Sequence, residues 1–246
     1  MYKYKMVFSY NGSNYFGYQI QKNKITIQET LENALFKIFR KKIKIISSGR
    51  TDTGVHALNQ TAHFEADTIL DNKFIYSLNS VLPKDIRVLK LTKTHKDFHA
   101  RYSVKSKIYH YHIYLKKIEN PFLIKTSFKP LYKIDIDILK KASEKFIGKK
   151  NFLAFANSNT EGCAKNSPIK NLKRLDVIKT KYGVRLEFEG DGFLYKMVRN
   201  IVGTLLDIAS KKRPIEDIDI IFSSNDRKNG SKTAPAHALF LYKVNY

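Results

Sequence analysis

The chain has 246 residues, and its 45 lysines and arginines against 22 aspartates and glutamates give a formal net charge of +23. Such a charge attracts polyanions, so nucleic acid is the leading expected partner, although the abundant lysine also fits the mutational bias of an AT-rich genome. The single cysteine, Cys163, excludes an internal disulfide framework, and a cysteine-based zinc site would need more thiols. The N-terminus, MYKYKMVFSY, has no signal-peptide core and no apolar run reaches membrane-spanning length, so we expect a cytoplasmic protein without membrane partners.

The first half of the sequence alternates short strands with helices. Strands are predicted at Lys5 to Tyr10, Ile43 to Ser48, Ala57 to Glu65 and Ile86 to Thr92. Asn11 to Gln21 reads as a loop, and Thr26-Ile-Gln-Glu29 is a capping-box pattern that begins a helix. The apolar face of that helix contains Ile27, Leu31, Leu35, Ile38 and Phe39. A second helix is predicted at Asn72 to Val81, before Pro83.

The second half opens with the clearest strand, KIYHYHIYL at Lys107 to Leu115, which alternates with period two. A long irregular connection after Asn120 is a candidate boundary. Helices are predicted at Asp137 to Phe146, through Met197, Ile201 and Leu205, and from near Pro214. A polar loop is predicted at Asn151 to Ser167. The predicted strands are a hairpin of Leu172 to Ile178 with Val184 to Glu189, and a last strand at Ala238 to Tyr246. The pattern indicates an α+β fold of mainly antiparallel strands, with one half at 1–105 and the other at 106–246.

One loop combines residue types that an ordinary turn does not need. In SSGRTDTGVHALNQTAHFEA, which begins at Ser47, Arg50 and Asp52 lie two residues apart between two glycines. Glycines permit unusual backbone angles or a close approach, and a turn can direct both side chains into one cleft. A carboxylate shielded on one side by Val55 and placed beside a guanidinium can act as nucleophile or base. The alternative is a surface Arg–Asp pair, which is common and weak.

Two further segments contain candidate site residues. Tyr109 on the KIYHYHIYL strand can belong to the core or stack on a nucleobase. His110 and His112 share the opposite face of that strand; they could bind a metal, but without further ligands at fixed spacing we expect them to be solvent-facing polar residues. Arg199 interrupts the apolar helix in DGFLYKMVRNIVGTL and either extends into solvent or pairs with a carboxylate such as Asp52.

The loop GRTDTGVHALNQ resembles the signature loop of the TruA family of transfer-RNA pseudouridine synthases. Further segments resemble that family in the same order along nearly the whole chain: SYNGSNYFGYQIQ, TIQETLENAL, DFHARYSVKSKIYHYHIY, FLYKMVRNIVGTL and ALFLYKVNY. The sequence departs from the family pattern at Tyr18, Asn11 and Ala238, where Trp, Asp and Gly are usual. These departures concern loop packing and the rim of the pocket more than the chemistry.

The resemblance implies an isomerase that converts uridine to pseudouridine at positions 38, 39 and 40 in the anticodon stem-loop of transfer RNA. It implies that Asp52 is catalytic, acting as a nucleophile at C1′ of the sugar or as a base at C2′. Tyr109 would pack on the uracil, and Arg199 would hold Asp52 ionised and oriented. Arg50 would fill the space left by the extruded nucleotide or bind phosphate, and Leu239 would be a wall of the pocket.

The resemblance also implies two similar α/β-sandwich-like halves whose sheets meet at a central basic active-site cleft. It implies a homodimer that holds one tRNA across both subunits, and a reaction without metal or cofactor. Two other functions stay open from the residues alone. One is a non-catalytic RNA-binding module, and the other is a metal-dependent hydrolase that uses Asp52, His56 and the two histidines of the KIYHYHIYL strand.

Overall fold

The computed structural model describes residues 1–71, 73–157 and 167–246. The chain folds into two compact units, Met1–Lys105 together with Phe240–Tyr246, and Ser106–Leu239. The sequence analysis groups residues 240–246 with the second half, whereas the structure has them in the first unit, because the last strand pairs with a strand of that unit. The division into two domains stays a prediction.

The first unit is built on an antiparallel sheet to which the end of the chain adds a parallel strand. Its elements are β1 (Tyr2–Tyr10), α1 (Ile27–Phe39), β2 (Ile46–Ser47), β3 (His56–Ala66), α2 (Lys73–Val81) and β4 (Ile86–Lys93). β1 lies between β4 and β3 and is antiparallel to both, and β2 pairs with β3. The final strand, β9 (Leu239–Asn245), runs parallel to β3, with Phe240 opposite His56.

Sequence periodicity and capping account for these elements. β1 buries alternate side chains, namely Tyr4, Met6, Phe8 and Tyr10. The predicted helix start is confirmed, because Thr26 Oγ1 accepts a hydrogen bond from Glu29 N at 3.4 Å. Phe39 at the end of α1 packs on Phe74 of α2 with ring centroids 5.3 Å apart. Each fully buried large apolar side chain stabilises the fold by about 1.5–3 kcal/mol, so this core holds the first unit together.

The second unit contains an antiparallel sheet in the order β5, β8, β7, β6. Its elements are β5 (Ser106–Tyr114), α3 (Ile136–Glu144), β6 (Gly148–Asn151), β7 (Ile169–Thr180), β8 (Gly183–Gly190), α4 (Met197–Ala209) and α5 (Asp217–Ser224). The predicted hairpin is confirmed, since only Lys181 and Tyr182 separate β7 from β8. β6 is absent from the sequence predictions because Gly-Lys-Lys-Asn is too short and polar to show an apolar period. Both units have the α+β class and mainly antiparallel pairing that the sequence predicts.

The two histidines of β5 do not both face solvent as expected. His110 is only 5% exposed, and its Nε2 lies 3.7 Å from Glu187 Oε1 on β8. Glu187 also accepts hydrogen bonds from Arg174 and Arg185. Burial lowers the pKa of His110 to about 4, although the charge of Glu187 opposes this shift. The prediction is wrong for His110 because Glu187 on the adjacent strand β8, itself paired with Arg174 and Arg185, makes a buried polar position tolerable.

Some sequence predictions concern residues outside those described. Cys163 and most of the polar loop predicted at Asn151 to Ser167 lie outside the described residues, as does Asn72 at the start of the second predicted helix. Within residues 1–71, 73–157 and 167–246, no helix has the length and apolar character needed to cross a membrane.

Acidification is expected to destabilise the protein through His110. Its pKa is about 4 when folded and near 6.5 in the unfolded chain, so the unfolded chain binds more protons between these values. Stability is therefore lost as the pH falls from about 6.5 toward 4. His110→Gln should remove on the order of 1–2 kcal/mol of this pH-dependent loss, measured by urea unfolding at neutral pH and near pH 4.5.

The matched control is His95→Gln, because His95 is exposed on the first unit. This variant should keep the pH dependence of the parent protein. Identical pH dependence in the His110→Gln variant and the parent would contradict the assigned role of His110.

Candidate active site

The Asp52 side chain extends from a tight turn that joins β2 to β3. Val55 N donates a hydrogen bond to Asp52 O at 3.1 Å, which closes the turn. Gly54 has a φ of +79°, the value that the third position of a type II turn requires. Asp52 is half-buried, whereas Arg50 is exposed. The expectation that a glycine beside this pair provides an unusual backbone angle is therefore confirmed at Gly54.

The turn is fixed to β1 and to the loop behind it through Thr51. Tyr10 and Thr51 share a hydrogen bond of 2.7 Å between the phenol oxygen and Oγ1, and Tyr18 N donates to Thr51 O at 3.1 Å. Burial raises the pKa of Tyr10 to about 12, so its phenol stays neutral. Gly17, with a φ of +86°, lies so close that a Cβ would stand 2.9 Å from Thr51 O and 3.3 Å from Asp52 C. The backbone of Asp52 therefore has little freedom to shift.

Further hydrogen bonds fix the chain on either side of the turn. Ser48 Oγ donates to Gln60 Oε1 at 2.6 Å, and Gln60 Nε2 donates to Gly49 O at 3.0 Å. On the other side, Gly12 N donates to His56 Nδ1 at 3.1 Å, and the His56 ring stacks on Phe240 at 4.6 Å. His56 is thus an anchor for the backbone, which is a different role from the metal ligand considered from the sequence.

The metal-dependent alternative needs several ligands at one place. Within the part of the chain that the structure describes, no three His, Cys, Asp or Glu side chains are grouped as a metal site would require. His110 instead lies beside Glu187 within the second unit.

In the second unit, Tyr109 lies on β5 with only 8% of its surface exposed. Its ring makes an edge-to-face contact with Phe193, at 5.1 Å between centroids. Tyr111, two residues further on the same face, donates from its hydroxyl to Pro235 O at 3.1 Å. β5 is thereby connected to the segment that leads to Leu239, which is buried at the start of β9.

Arg199 lies in the first turn of α4 and binds the same segment. Its Nε donates to Ala234 O at 2.8 Å, and Ala234 N donates to Arg199 O at 3.0 Å. Burial raises the pKa of Tyr111, and the nearby Arg199 cation opposes this shift. Close packing is possible because a Cβ at Gly203 would stand 1.9 Å from Lys232 O. Arg199 is therefore half-buried against the 232–235 segment, whereas the sequence left its direction open.

The predicted site residues fall into two sets, one in each unit. Arg50 and Asp52 belong to the first unit, and Tyr109, Arg199 and Leu239 belong to the second. The sequence analysis missed the residues that hold these side chains in place, which are Tyr10, Gly17, Thr51 and Ala234. Tyr10, Gly17 and Thr51 lie in segments that resemble the family pattern, which marks the segments but not the contacts these residues make, and Ala234 lies in none of them.

These features define a class: a strongly basic α+β protein of mainly antiparallel strands, in which a rigid turn presents a half-buried carboxylate. A family model described as tRNA pseudouridine synthase matches residues 6–103 and 142–246. The chain is 46% identical to tRNA pseudouridine synthase A 1 from Protochlamydia amoebophila over 248 residues, covering 100% of this chain and 97% of that protein. It is 39% identical to tRNA pseudouridine synthase A from Limosilactobacillus reuteri, covering 100% of this chain and 97% of that protein.

A third relative, tRNA pseudouridine synthase A from a Thermoanaerobacter species, is 40% identical, and the match covers 98% of each chain. The chain belongs to the tRNA pseudouridine synthase family. This membership confirms the resemblance seen in the sequence and the expected class of enzyme, an isomerase.

The close approach of Gly17 to the Asp52 turn predicts that Gly17→Ala lowers kcat. The added methyl group would displace Thr51 O, and Asp52 would move with it. A misplacement of a catalytic group by about 1 Å can cost about 100-fold in rate, so we expect kcat to fall by roughly tenfold or more in steady-state assays at saturating tRNA.

Gly148→Ala is the matched control. Gly148 also has a positive φ, +108°, but a Cβ there would meet nothing within 4 Å, so this variant carries the backbone strain without the contact. It should lose some stability and keep its kcat. Equal kcat values for the two variants would show that Gly17 does not position Asp52.

Proposed function

We propose that the protein converts uridine to pseudouridine in transfer RNA, at positions 38, 39 and 40 of the anticodon stem-loop. The observation that carries this proposal is the family match, which includes both the Asp52 turn and the Arg199 helix. The relatives named tRNA pseudouridine synthase A cover nearly the whole chain, which supports the same activity here. The formal charge of +23 favours an RNA substrate, because cationic side chains that bind phosphates release counterions.

The reaction breaks the bond between N1 of uracil and C1′ of ribose, turns the base, and joins C5 to C1′. C5 loses a proton and N1 gains one, so the atoms balance without oxidation or an imported group. Cleavage of a glycosidic bond builds positive charge on the sugar, and a carboxylate can stabilise or capture it. Asp52 would therefore act as a nucleophile at C1′ or as a base that removes the proton at C2′.

The rigidity of the Asp52 turn supports this role. Its backbone is held by the Val55 hydrogen bond, by Thr51, and by the close approach of Gly17. A carboxylate fixed before the substrate arrives loses little entropy and needs little reorganisation in the transition state. This is the property that a group acting on a single carbon of an extruded nucleotide requires.

The other site residues act on the same nucleotide in this proposal. The target base must leave the helix stack before it reacts. Tyr109 would pack on the uracil and retain it while it turns, and its edge contact with Phe193 fixes the ring. Arg199 would keep Asp52 ionised and oriented, and Leu239 would form a wall of the pocket. Arg50, which is exposed, would fill the vacated space or bind a backbone phosphate.

Tyr109 lies outside the residues matched by the family model, so its role rests on its place on β5 and on the resemblance of the segment DFHARYSVKSKIYHYHIY to the family pattern. We further propose that the enzyme is a cytoplasmic homodimer holding one tRNA across both subunits, and that it works without a metal or a cofactor. The high positive charge supports a broad RNA-binding surface of this kind.

Replacing the proposed catalytic carboxylate tests the function directly. Asp52→Asn should abolish pseudouridine formation in unmodified tRNA and leave the Kd for tRNA within about threefold, because the amide keeps the shape but not the charge. Nucleoside mass spectrometry measures the product, and fluorescence anisotropy measures the Kd.

The matched control is Asp67→Asn, which removes only an exposed ion pair with Lys41. Exposed ion pairs contribute little to stability, so this variant should keep full activity. Full activity in the Asp52→Asn variant would refute the assignment. Tight tRNA binding by the parent protein without any pseudouridine would favour the non-catalytic RNA-binding module.

Chelation tests the proposal that no metal takes part. Turnover on an anticodon stem-loop should be unchanged by EDTA when spermidine keeps the RNA folded. Activity that disappears on chelation and returns with one divalent metal would instead support a metal-dependent reaction.

A further inference from the structure

A short loop after β4, from His99 to Ser103, is closed by two hydrogen bonds between its first and last residues. His99 N donates to Ser103 Oγ at 3.1 Å, and Ser103 N donates back to His99 O at 2.9 Å. Within the loop, the amides of Arg101 and Tyr102 both donate to His99 Nδ1, each at 3.2 Å. The loop is therefore a rigid turn, although it lies at the surface.

Ala100 fixes this turn to the body of the first unit. It is fully buried, its N donates to His63 Nδ1 at 3.1 Å, and its O accepts a hydrogen bond from the Tyr246 hydroxyl at 2.8 Å. Lys5 Nζ lies 4.2 Å from the Tyr246 ring centroid, a distance at which a cation stabilises the ring. Burial also lowers the pKa of His63 to about 4, so His63 stays a neutral acceptor near neutral pH.

This rigid turn exposes two side chains. Arg101 is exposed, and Tyr102 is 78% exposed even though its ring stacks on His99 at 4.2 Å. A tyrosine with this exposure buries little apolar surface and contributes little to folding. The stack on His99 nevertheless fixes the direction of the ring, and the other face of the ring stays available.

We propose that Arg101 and Tyr102 form an RNA-binding site, in which the Tyr102 ring stacks on an unpaired base of the substrate and the Arg101 guanidinium binds the adjacent phosphate. This inference rests on the proposed function, which makes RNA the substrate. Aromatic rings and arginines side by side are the groups that bind single-stranded RNA, because every base has a stacking face and every nucleotide a charge.

The rigidity of the turn strengthens this inference. A ring and a cation that are already ordered lose little conformational entropy when RNA binds. The site lies apart in sequence from the Asp52 turn and is not part of the chemistry assigned to it. Its effect should therefore appear in the affinity for RNA and in KM, while kcat at saturating RNA is unchanged.

The test uses the full chain and an unmodified tRNA transcript. Tyr102→Ala should weaken the Kd by about tenfold or more, since loss of stacking on one base typically costs that much. Tyr102→Phe should restore binding because it keeps the ring. Arg101→Gln should weaken binding and lower the slope of log K against log salt by about 1, as expected for one lost phosphate contact.

The controls have the same exposure but lie elsewhere in the first unit. Tyr76 is also 78% exposed, and Arg40 is exposed at the end of α1. Tyr76→Ala and Arg40→Gln should leave both the Kd and the salt slope unchanged. Thermal unfolding of each variant checks that these surface changes leave the fold intact.

The site is refuted if Tyr102→Ala and Arg101→Gln bind tRNA as tightly as the parent protein. A change in oligomeric state without a change in RNA affinity, measured by light scattering, would also refute it and indicate a protein interface. The outcome is separate from that for Asp52. If Tyr102→Ala weakens RNA binding and Asp52→Asn stays fully active, the RNA site is supported and the proposed chemistry is rejected. If Tyr102→Ala binds RNA as the parent does and Asp52→Asn is inactive, only the RNA site is rejected.

Discussion

The structure of the candidate site depends on one close contact, between Gly17 and the backbone from Thr51 to Thr53. A side chain at residue 17 would collide with that backbone, so the loop after β1 and the turn before β3 can approach only because residue 17 is glycine. The approach then allows Tyr18 N to bond to Thr51 O, while Tyr10 reaches Thr51 Oγ1. Thr51 is thus held by both its carbonyl and its side chain, and this restricts the movement of the adjacent Asp52. A reactive carboxylate can extend from a loop and still be as well positioned as a residue in a strand.

The second unit shows the same solution with different residues. Arg199 and Ala234 exchange two hydrogen bonds, one through the arginine side chain and one through its carbonyl. Gly203 permits this, since any side chain there would strike Lys232 O. In both units, then, a glycine lets one backbone approach another, and polar groups of the approaching segments bond across the contact. In the first unit the residue assigned to chemistry, Asp52, is next to the residue that makes these bonds, whereas in the second unit Arg199 makes them itself.

The sequence predicts the elements well and the contacts between them poorly. Alternation predicts β1, β3, β5 and the β7–β8 hairpin, and Thr26 predicts the start of α1, because these signals are local. The Asp52 loop could be recognised from its residue types and its family resemblance. The constraint from Gly17 could not, because residues 17 and 51 meet only after β1 has paired with β3. The same reason explains the error at His110, whose burial depends on Glu187, Arg174 and Arg185 on other strands. It also explains why the sequence analysis grouped residues 240–246 with the second half, because the pairing of β9 with β3 has no local signal.

β3 links the proposed chemistry to the proposed RNA contact. Its two histidines are buried, and the Nδ1 of each accepts a hydrogen bond from a backbone amide of a surface loop. The donor is Gly12 N for His56 and Ala100 N for His63. An imidazole that accepts at Nδ1 must carry its proton on Nε2 and be neutral, since a proton on Nδ1 would face the amide hydrogen. One loop lies against the Asp52 turn, where a Cβ at Gly12 would strike Val55 O, and the other presents Arg101 and Tyr102. Neutral histidines are suited to this task in a chain of charge +23, because they provide acceptors without adding to the positive charge or requiring a buried carboxylate. A single strand can in this way keep two surface loops rigid while the cationic side chains around them stay available for RNA.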